Sequence, residues 1–221
     1  MPNRFTEQEL ERIRQAVAQA EERTSGEIVP YIVAASGTYP IAIWRGAVLL
    51  ALVALAATLI FFQLHQGWSM SWLYAGWGVA LITLMAGSLG ALLGAFVPPI
   101  KRLLAGKELV QTVHLAAHEA FLQEEVFATR ERTGILLYVS LFEHRVEVVG
   151  DTGINQRVTV DDWADVIARV QMGVKNGKLT EGIVEALQMC GELLEKSGLT
   201  IRPDDVNELP DRLRIRDPKT K

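Results

Sequence analysis

Three carboxylates are the side chains in this sequence best suited to do chemistry. Asp151 stands in Gly150-Asp151-Thr152-Gly153, and Asp161 and Asp162 follow further along the chain. Carboxylate oxygens are hard ligands, so two or three converging at the end of a sheet can hold Ca2+ or Mg2+. A cation held that way can orient a phosphate and activate water. On this reading Asp151, Asp161 and Asp162 are the candidate catalytic residues, and Asp151 and Asp162 are the candidate metal ligands. The same residue types also serve as caps. Asp151 can close a turn, and Asp161 or Asp162 can open a helix.

Other polar residues offer less. Glu27, Arg130, Arg132, Glu143 and Arg145 can form a cluster in which arginine grips phosphate bidentately, or can simply pair across strands. His114 and His118 are four residues apart, which puts two imidazoles on one helix face. Zinc needs further ligands, and apart from the adjacent Glu119 none has matching spacing. The single cysteine, Cys190, lies in the apolar stretch 183–194 and suits a core position. No nucleophile elbow, P-loop, Rossmann glycine fingerprint or zinc ribbon occurs, so no organic cofactor is expected. The net charge of −4, without basic and aromatic residues interleaved, argues against nucleic acid as a partner.

The elements that must position these residues can be read from periodicity. Residues 5–22 predict a helix, opened by a Thr6-x-x-Glu9 capping box and carrying Leu10, Ile13, Val17 and Ala20 on one face. Residues 27–34 predict a strand, with Pro30 marking an edge or a bulge. Residues 107–125 predict a second helix, 134–141 and 144–149 a strand pair with a turn at Phe142-Glu143, and Trp163 onward and 179–194 two more helices. From 197 the chain is polar and contains Pro203, Pro210 and Pro218, so a flexible tail is expected over 198–221.

Between these parts lies an apolar block. From Gly46 through Ile100 there is no Asp, Glu, Lys or Arg. Two spans, 41–64 and 72–97, are each long enough for a bilayer core of about 30 Å. His65 to Ser71 forms a short polar link, so the spans must make a hairpin with a lipid bilayer as partner. Four of the five tryptophans (Trp44, Trp68, Trp72 and Trp77) fall near the span ends, as an interfacial aromatic belt requires. Gly90 and Gly94 make a GxxxG spacing, expected to pack the second span on the first rather than on another protomer. Pro98-Pro99 is expected to end the second helix. Arg45, Lys101, Arg102 and Lys107 flank the spans while the link has no Lys or Arg, so the soluble parts are expected in the cytoplasm. The first 27 residues carry charge throughout, unlike a signal peptide.

Several segments resemble the TPM domain family, named for thylakoid-lumen, photosystem-II-repair and acetylcholine-receptor-modulating proteins. The residues carrying the resemblance are 20–28, Ala120-Phe121, 129–140, 143–154, Trp163 and the 182–193 helix. The likeness implies an α/β sandwich, with a short central sheet and helices on both faces, interrupted here by the transmembrane hairpin as in a bacterial branch of the family. The expected organisation is a discontinuous α/β domain of residues 1–40 and 103–197 around a hairpin of residues 41–102, in a bacterial inner membrane. In relatives the Asp of the G-D-x-G-I segment lies near a proposed metal or phosphatase site, which adds interest to Asp151. The resemblance implies either a non-enzymatic module that binds other membrane proteins or a membrane-anchored acid-phosphatase-like hydrolase.

Overall fold

The computed structural model describes residues 5–64, 76–159, 161–201 and 207–216. The link 65–71, with Trp68, and the expected span start at Trp72 lie outside the described residues. The chain divides into two compact units, one formed by Met1–Ser36 with Gln111–Lys221, the other by Gly37–Val110.

The first unit is a mixed α/β fold. Helix α1 (Glu7–Glu21) opens on the expected capping box, with Thr6 Oγ1 accepting from Glu9 N and the Glu9 carboxylate accepting from Thr6 N. Strand β1 (Glu27–Val33) follows. Helix α5 (Glu108–Gln123) leads into β2 (Gly134–Ser140) and β3 (Arg145–Gly150). After these come the short α6 (Thr152–Asn155), a 3-10 turn at Asp161–Trp163, α7 (Ala164–Lys175) and α8 (Leu179–Lys196). The last element is β4 (Arg214–Arg216). The sheet order is β3-β2-β1-β4; β1 runs parallel to β2 and β4, and β2 antiparallel to β3.

Alternation along β1 and β2 divides their side chains between two cores. Ile28, Ile32, Ile135, Leu137 and Val139 pack with Ile13, Val17, Trp163, Val170, Ile183 and Leu187. Val29, Tyr31, Val33, Leu136 and Tyr138 pack with Val113, Ala117 and Ala120 of α5. Helices therefore cover both faces, which is why β1 and β2 are buried at every position. Cys190 is wholly buried, and burial pushes its thiol up to about 12.

Residues 202–206 and 217–221 of the expected flexible tail lie outside the described residues, and within its described part the chain forms β4. Arg214–Arg216 pairs with Tyr31–Val33, and the Arg214 guanidinium bonds Glu124 Oε2 at 3.3 Å and the Arg212 carbonyl at 2.7 Å. Leu209 is buried in the second core. The segment is held by backbone pairing and arginine contacts, and its polar composition conceals that. Pro30 is also clarified. Pairing with β4 begins at Tyr31, so Pro30 lies where β1 has only β2 beside it. A residue without an N–H is tolerated there.

The second unit is built on α2 (Pro40–Leu64) and α3 (Gly76–Phe96), both long and apolar enough to cross a membrane by length and composition. At 1.5 Å per residue they measure about 37 and 31 Å. The GxxxG glycines allow the two helices to touch. A Cβ added at Gly90 would lie 2.1 Å from the Gly46 carbonyl oxygen, and one at Gly94 would lie 2.5 Å from that of Ala42. Thr58 and Thr83 each donate to the carbonyl four residues back, at 2.7 and 2.9 Å, so their hydroxyls are satisfied within the helix. Pro98-Pro99 does more than end α3. It also starts a further helix, α4 (Pro98–Ala105), because proline's missing N–H is harmless in a first turn.

Candidate functional site

The strand ends gather the polar residues into two groups. Because β3 runs against β2, Gly150 pairs with Ile135 and Arg145 with Ser140. The start of β2 therefore lies beside Asp151, while its end lies beside Glu143 and Arg145. The cluster expected from sequence is thus split. Glu27, Arg130 and Arg132 sit with Asp151 at the leading ends of β1 and β2, and Glu143 and Arg145 sit at the trailing ends.

At the leading end, Asp151 is the N-cap of α6 and accepts from Thr152 N at 2.6 Å. Its side chain is 4% exposed, and Oδ2 lies 2.9 Å from Arg132 Nε. That contact is an ion pair without hydrogen-bond alignment, since Oδ2 is sealed from solvent with no hydrogen-bonding partner among the described residues. The Arg132 guanidinium also covers the Phe127 ring, 5.5 Å from its centroid. Arg132 has φ +60, and its carbonyl accepts from Gly153 N at 2.9 Å. A Cβ on Gly153 would meet the Glu131 oxygen at 2.5 Å, and one on Gly134 the Val126 oxygen at 1.9 Å. The glycines of the R-T-G and G-D-T-G segments thus permit backbones to touch, and the touching holds Arg132 against Asp151.

Glu27 is buried and accepts from the backbone N–H groups of Glu208 and Leu209, at 3.0 and 3.4 Å. Desolvation holds its carboxyl above the usual range. Glu208 in turn accepts from Arg130 N at 2.9 Å. Glu21 belongs to the same end. Its Oε1 accepts from Ile28 N at 2.8 Å, while Oε2 is sealed from solvent without a hydrogen-bonding partner among the described residues. Burial, with Glu27 nearby, pushes the Glu21 carboxyl up to about 8. A pocket of about 240 Å3 lies here, lined by Ala18, Glu21, Glu22, Thr24, Glu27, Ile201 and Asn207. Sequence reasoning missed Glu21. The available signal was its position four residues after the buried Val17, on the apolar stripe of α1.

At the trailing end, the Ser36 hydroxyl lies 3.0 Å from Tyr138 OH and 2.8 Å from Ser140 Oγ. Glu143 accepts from Ser36 N at 2.9 Å and from the Ser140 hydroxyl. Burial pushes the Tyr138 phenol up to about 12. Sequence reasoning missed this network of two serines, a tyrosine and a carboxylate, although Ser140 stands where β2 ends.

Asp161 and Asp162 are exposed in the 3-10 turn. Neither caps α7, whose N-cap is Trp163 with no side-chain bond. Asp162 instead reaches back to Thr159, accepting from its hydroxyl at 2.7 Å and its N–H at 2.8 Å, and these bonds hold the Asp162 carboxyl below the usual range. His114 Nδ1 is 2.7 Å from Glu147 Oε1, and His118 Nδ1 is 2.9 Å from the His114 carbonyl. Among the described residues, no group of three or more His, Cys, Asp or Glu side chains could hold a metal ion.

An α/β unit with a short four-stranded sheet between helices, and polar side chains turned largely to their own backbone, defines the class of the molecule. Residues 107–193 match the family model of the TPM domain. Among solved structures, the NMR structure of BA42 protein from the psychrophilic bacterium Bizionia argentinensis is similar. It is 19% identical in sequence with a TM-score of 0.57, over 96% of this chain and 95% of that one. The likeness at that identity is one of fold. No curated protein matches the chain.

Proposed function

We propose that this protein is a membrane-anchored binding module. In this reading α2 and α3 cross the bacterial cell membrane as a hairpin. The α/β unit works on the cytoplasmic side, where it binds another membrane protein during assembly or turnover. One observation carries the anchor. Leu52, Leu59, Leu84, Met85 and Phe96 are all exposed on helices that bear no acidic residue. Covering each such side chain with hydrocarbon gains roughly 1.5–3 kcal/mol. Arg45, Lys101, Arg102 and Lys107 support the cytoplasmic side. In support of binding, the buried carboxylates of Glu27 and Glu143 accept from the protein's own backbone. They therefore serve to hold its surface in shape.

The test is alkaline carbonate extraction of membranes from cells making the full chain. Retention in the pellet is expected, and release to the supernatant overturns the anchor. For the partner, a photo-crosslinker at the exposed Leu122 is expected to trap one membrane protein reproducibly. Random adducts would remove the binding reading.

The Asp151–Arg132 pair favours a second reading, a metal-dependent phosphatase, because a sealed carboxylate oxygen beside a guanidinium can be reorganised around a phosphate and a cation. Hydrolysis of p-nitrophenyl phosphate with Mg2+ or Ca2+, abolished by Asp151→Asn, would establish it. Equal rates in both proteins would dismiss it.

A further inference from the structure

Strand β3 is one edge of the sheet, and its hydrogen bonds show which backbone groups face outward. Asp151 N donates to the Gly134 carbonyl and Gly153 N to that of Arg132, both at 2.9 Å. In an antiparallel pair, hydrogen-bonded residues alternate with non-bonded ones. The register pairs Leu136 with Val149 and Tyr138 with Glu147. Arg145, Glu147 and Val149 therefore turn their N–H and C=O groups to β2, and Val146, Val148 and Gly150 turn theirs away from the sheet. The Gly150 carbonyl is taken by Asn155 Nδ2 at 2.6 Å. Among the described residues, the outward groups of Val146 and Val148 have no hydrogen-bonding partner.

Two charged side chains stand on one face beside that open edge. Arg145 is exposed, and its guanidinium has no partner among the described residues. Glu147 Oε1 lies 2.7 Å from His114 Nδ1, which leaves Oε2 without a described partner.

An open strand edge is recognised by another extended backbone, which offers donors and acceptors at the same repeat. When a second copy of β3 lies antiparallel across a two-fold axis, few registers are acceptable. Centring the pair on Val148, Val149 or Gly150 needs the Gly150 carbonyl, which Asn155 occupies. Centring it on Arg145 or Glu147 sets that charge directly against itself, which is destabilising. Centring it on Val146 sets Arg145 opposite Glu147 of the second copy and, by symmetry, Glu147 opposite its Arg145. In this register both ion pairs fall at non-hydrogen-bonded positions, where Cα atoms approach to about 4.5 Å. Between them the two Val146 residues exchange backbone hydrogen bonds.

We infer that β3 is a homotypic docking edge, through which two copies of this chain join antiparallel about Val146 and merge their four-stranded sheets. The second copy is the occupant because Arg145-x-Glu147 is its own complement in that register, as an isologous interface requires. The inference goes beyond the binding role proposed above and does not depend on the anchor.

The test is energy transfer between two fluorophore-tagged populations of the full-length protein in neutral detergent. The wild type is expected to associate. Arg145→Glu and Glu147→Arg should each weaken self-association about tenfold, because two direct pairs turn repulsive and each counts for about threefold. Mixing these two variants should restore the wild-type affinity, since each then supplies the charge that the other lacks. Absence of transfer in the wild type, self-association of Arg145→Glu equal to the wild type, or no recovery in the mixture overturns the inference. A second measurement reads the register directly. Arg145→Cys in one population and Glu147→Cys in the other should close a disulfide on mild oxidation, because non-hydrogen-bonded neighbours lie within its reach. Either variant alone should close far more slowly, and the buried Cys190 takes no part. Equal closure in all three samples, or none in the mixture, overturns it.

Discussion

Replacing Gly90 with alanine should push α2 and α3 apart by more than 1 Å. The added Cβ would start 2.1 Å from the Gly46 carbonyl oxygen. Even a favourable Cα–H···O contact keeps carbon and oxygen about 3.3 Å apart, so the helices must retreat by about 1.2 Å at this level. A gap of that size forfeits about a quarter to a half of each contact's dispersion energy, and the overpacking costs about 1–3 kcal/mol. The separation can be read directly by disulfide closure. A Cβ at Gly87 would stand 3.5 Å from Ala51 Cβ, within the roughly 3.5–4.5 Å that a disulfide spans. Ala51→Cys with Gly87→Cys should therefore close on mild oxidation in membranes. Counting thiols with a maleimide mass tag after denaturation would then find only Cys190 free. Adding Gly90→Ala stretches the pair to about 4.7 Å, past the usual limit, so most chains should keep three free thiols. Leu84→Ala, at an exposed position, should leave closure unchanged. Equal closure rates with and without Gly90→Ala would refute the close helix crossing.

Glu21→Gln should flatten the pH dependence of stability. The Glu21 carboxyl is raised to about 8 in the folded chain, so the folded state holds a proton that the unfolded state releases. Stability from this group is full below the ordinary carboxylate range and is lost as pH rises through about 8. Thermal unfolding of the wild type in detergent should therefore weaken from pH 5 to pH 8 more than that of the variant, and parallel curves would count against it. Glu27→Ala should free the β4 segment by removing the acceptor of two backbone N–H groups, at a cost of about 1–3 kcal/mol. Amide exchange at Arg214–Arg216 should quicken tenfold or more, and unchanged protection there would show that β4 is held without Glu27. Thr6→Ala should remove the capping box and lower stability by about 1 kcal/mol, seen as a reduced melting temperature, while Glu7→Gln nearby should be close to neutral.

Local rules made much of this fold readable. Thr6 and Glu9 announced α1 because both partners of a capping box lie within one turn. The apolar run 46–100 announced α2 and α3 because composition alone determines whether a helix can span a membrane. What escaped depended on partners far along the chain. Arg214-Ile215-Arg216 has one apolar residue and no strand signature, and its pairing with β1 is supplied by tertiary contacts with Glu124 and Glu27. Helix α4 was hidden because Pro98-Pro99 reads as a stop from one side and as a start from the other. The candidate site was legible only in part. Asp151 was recognised, but its pairing with Arg132 comes from backbone contacts at Gly134 and Gly153 that no side-chain pattern records. Glu21 carries no signature of its own in the sequence, and its burial comes from the neighbouring elements that close over it.

The order of the sheet also governs when it can exist. Strand β1 is made before the hairpin, but its two neighbours, β2 and β4, come after it. Tyr31 meets Arg214, so at elongation rates of roughly 5–20 residues per second the pairing waits about 10–40 seconds of synthesis. Until β2 is made, β1, apolar at nearly every position, has two unfilled edges, and until β4 is made it still has one. Helices α2 and α3 are therefore made before the sheet of the first unit can close. A chain that stalls before Arg214 leaves the ribosome with its first strand still open on one side.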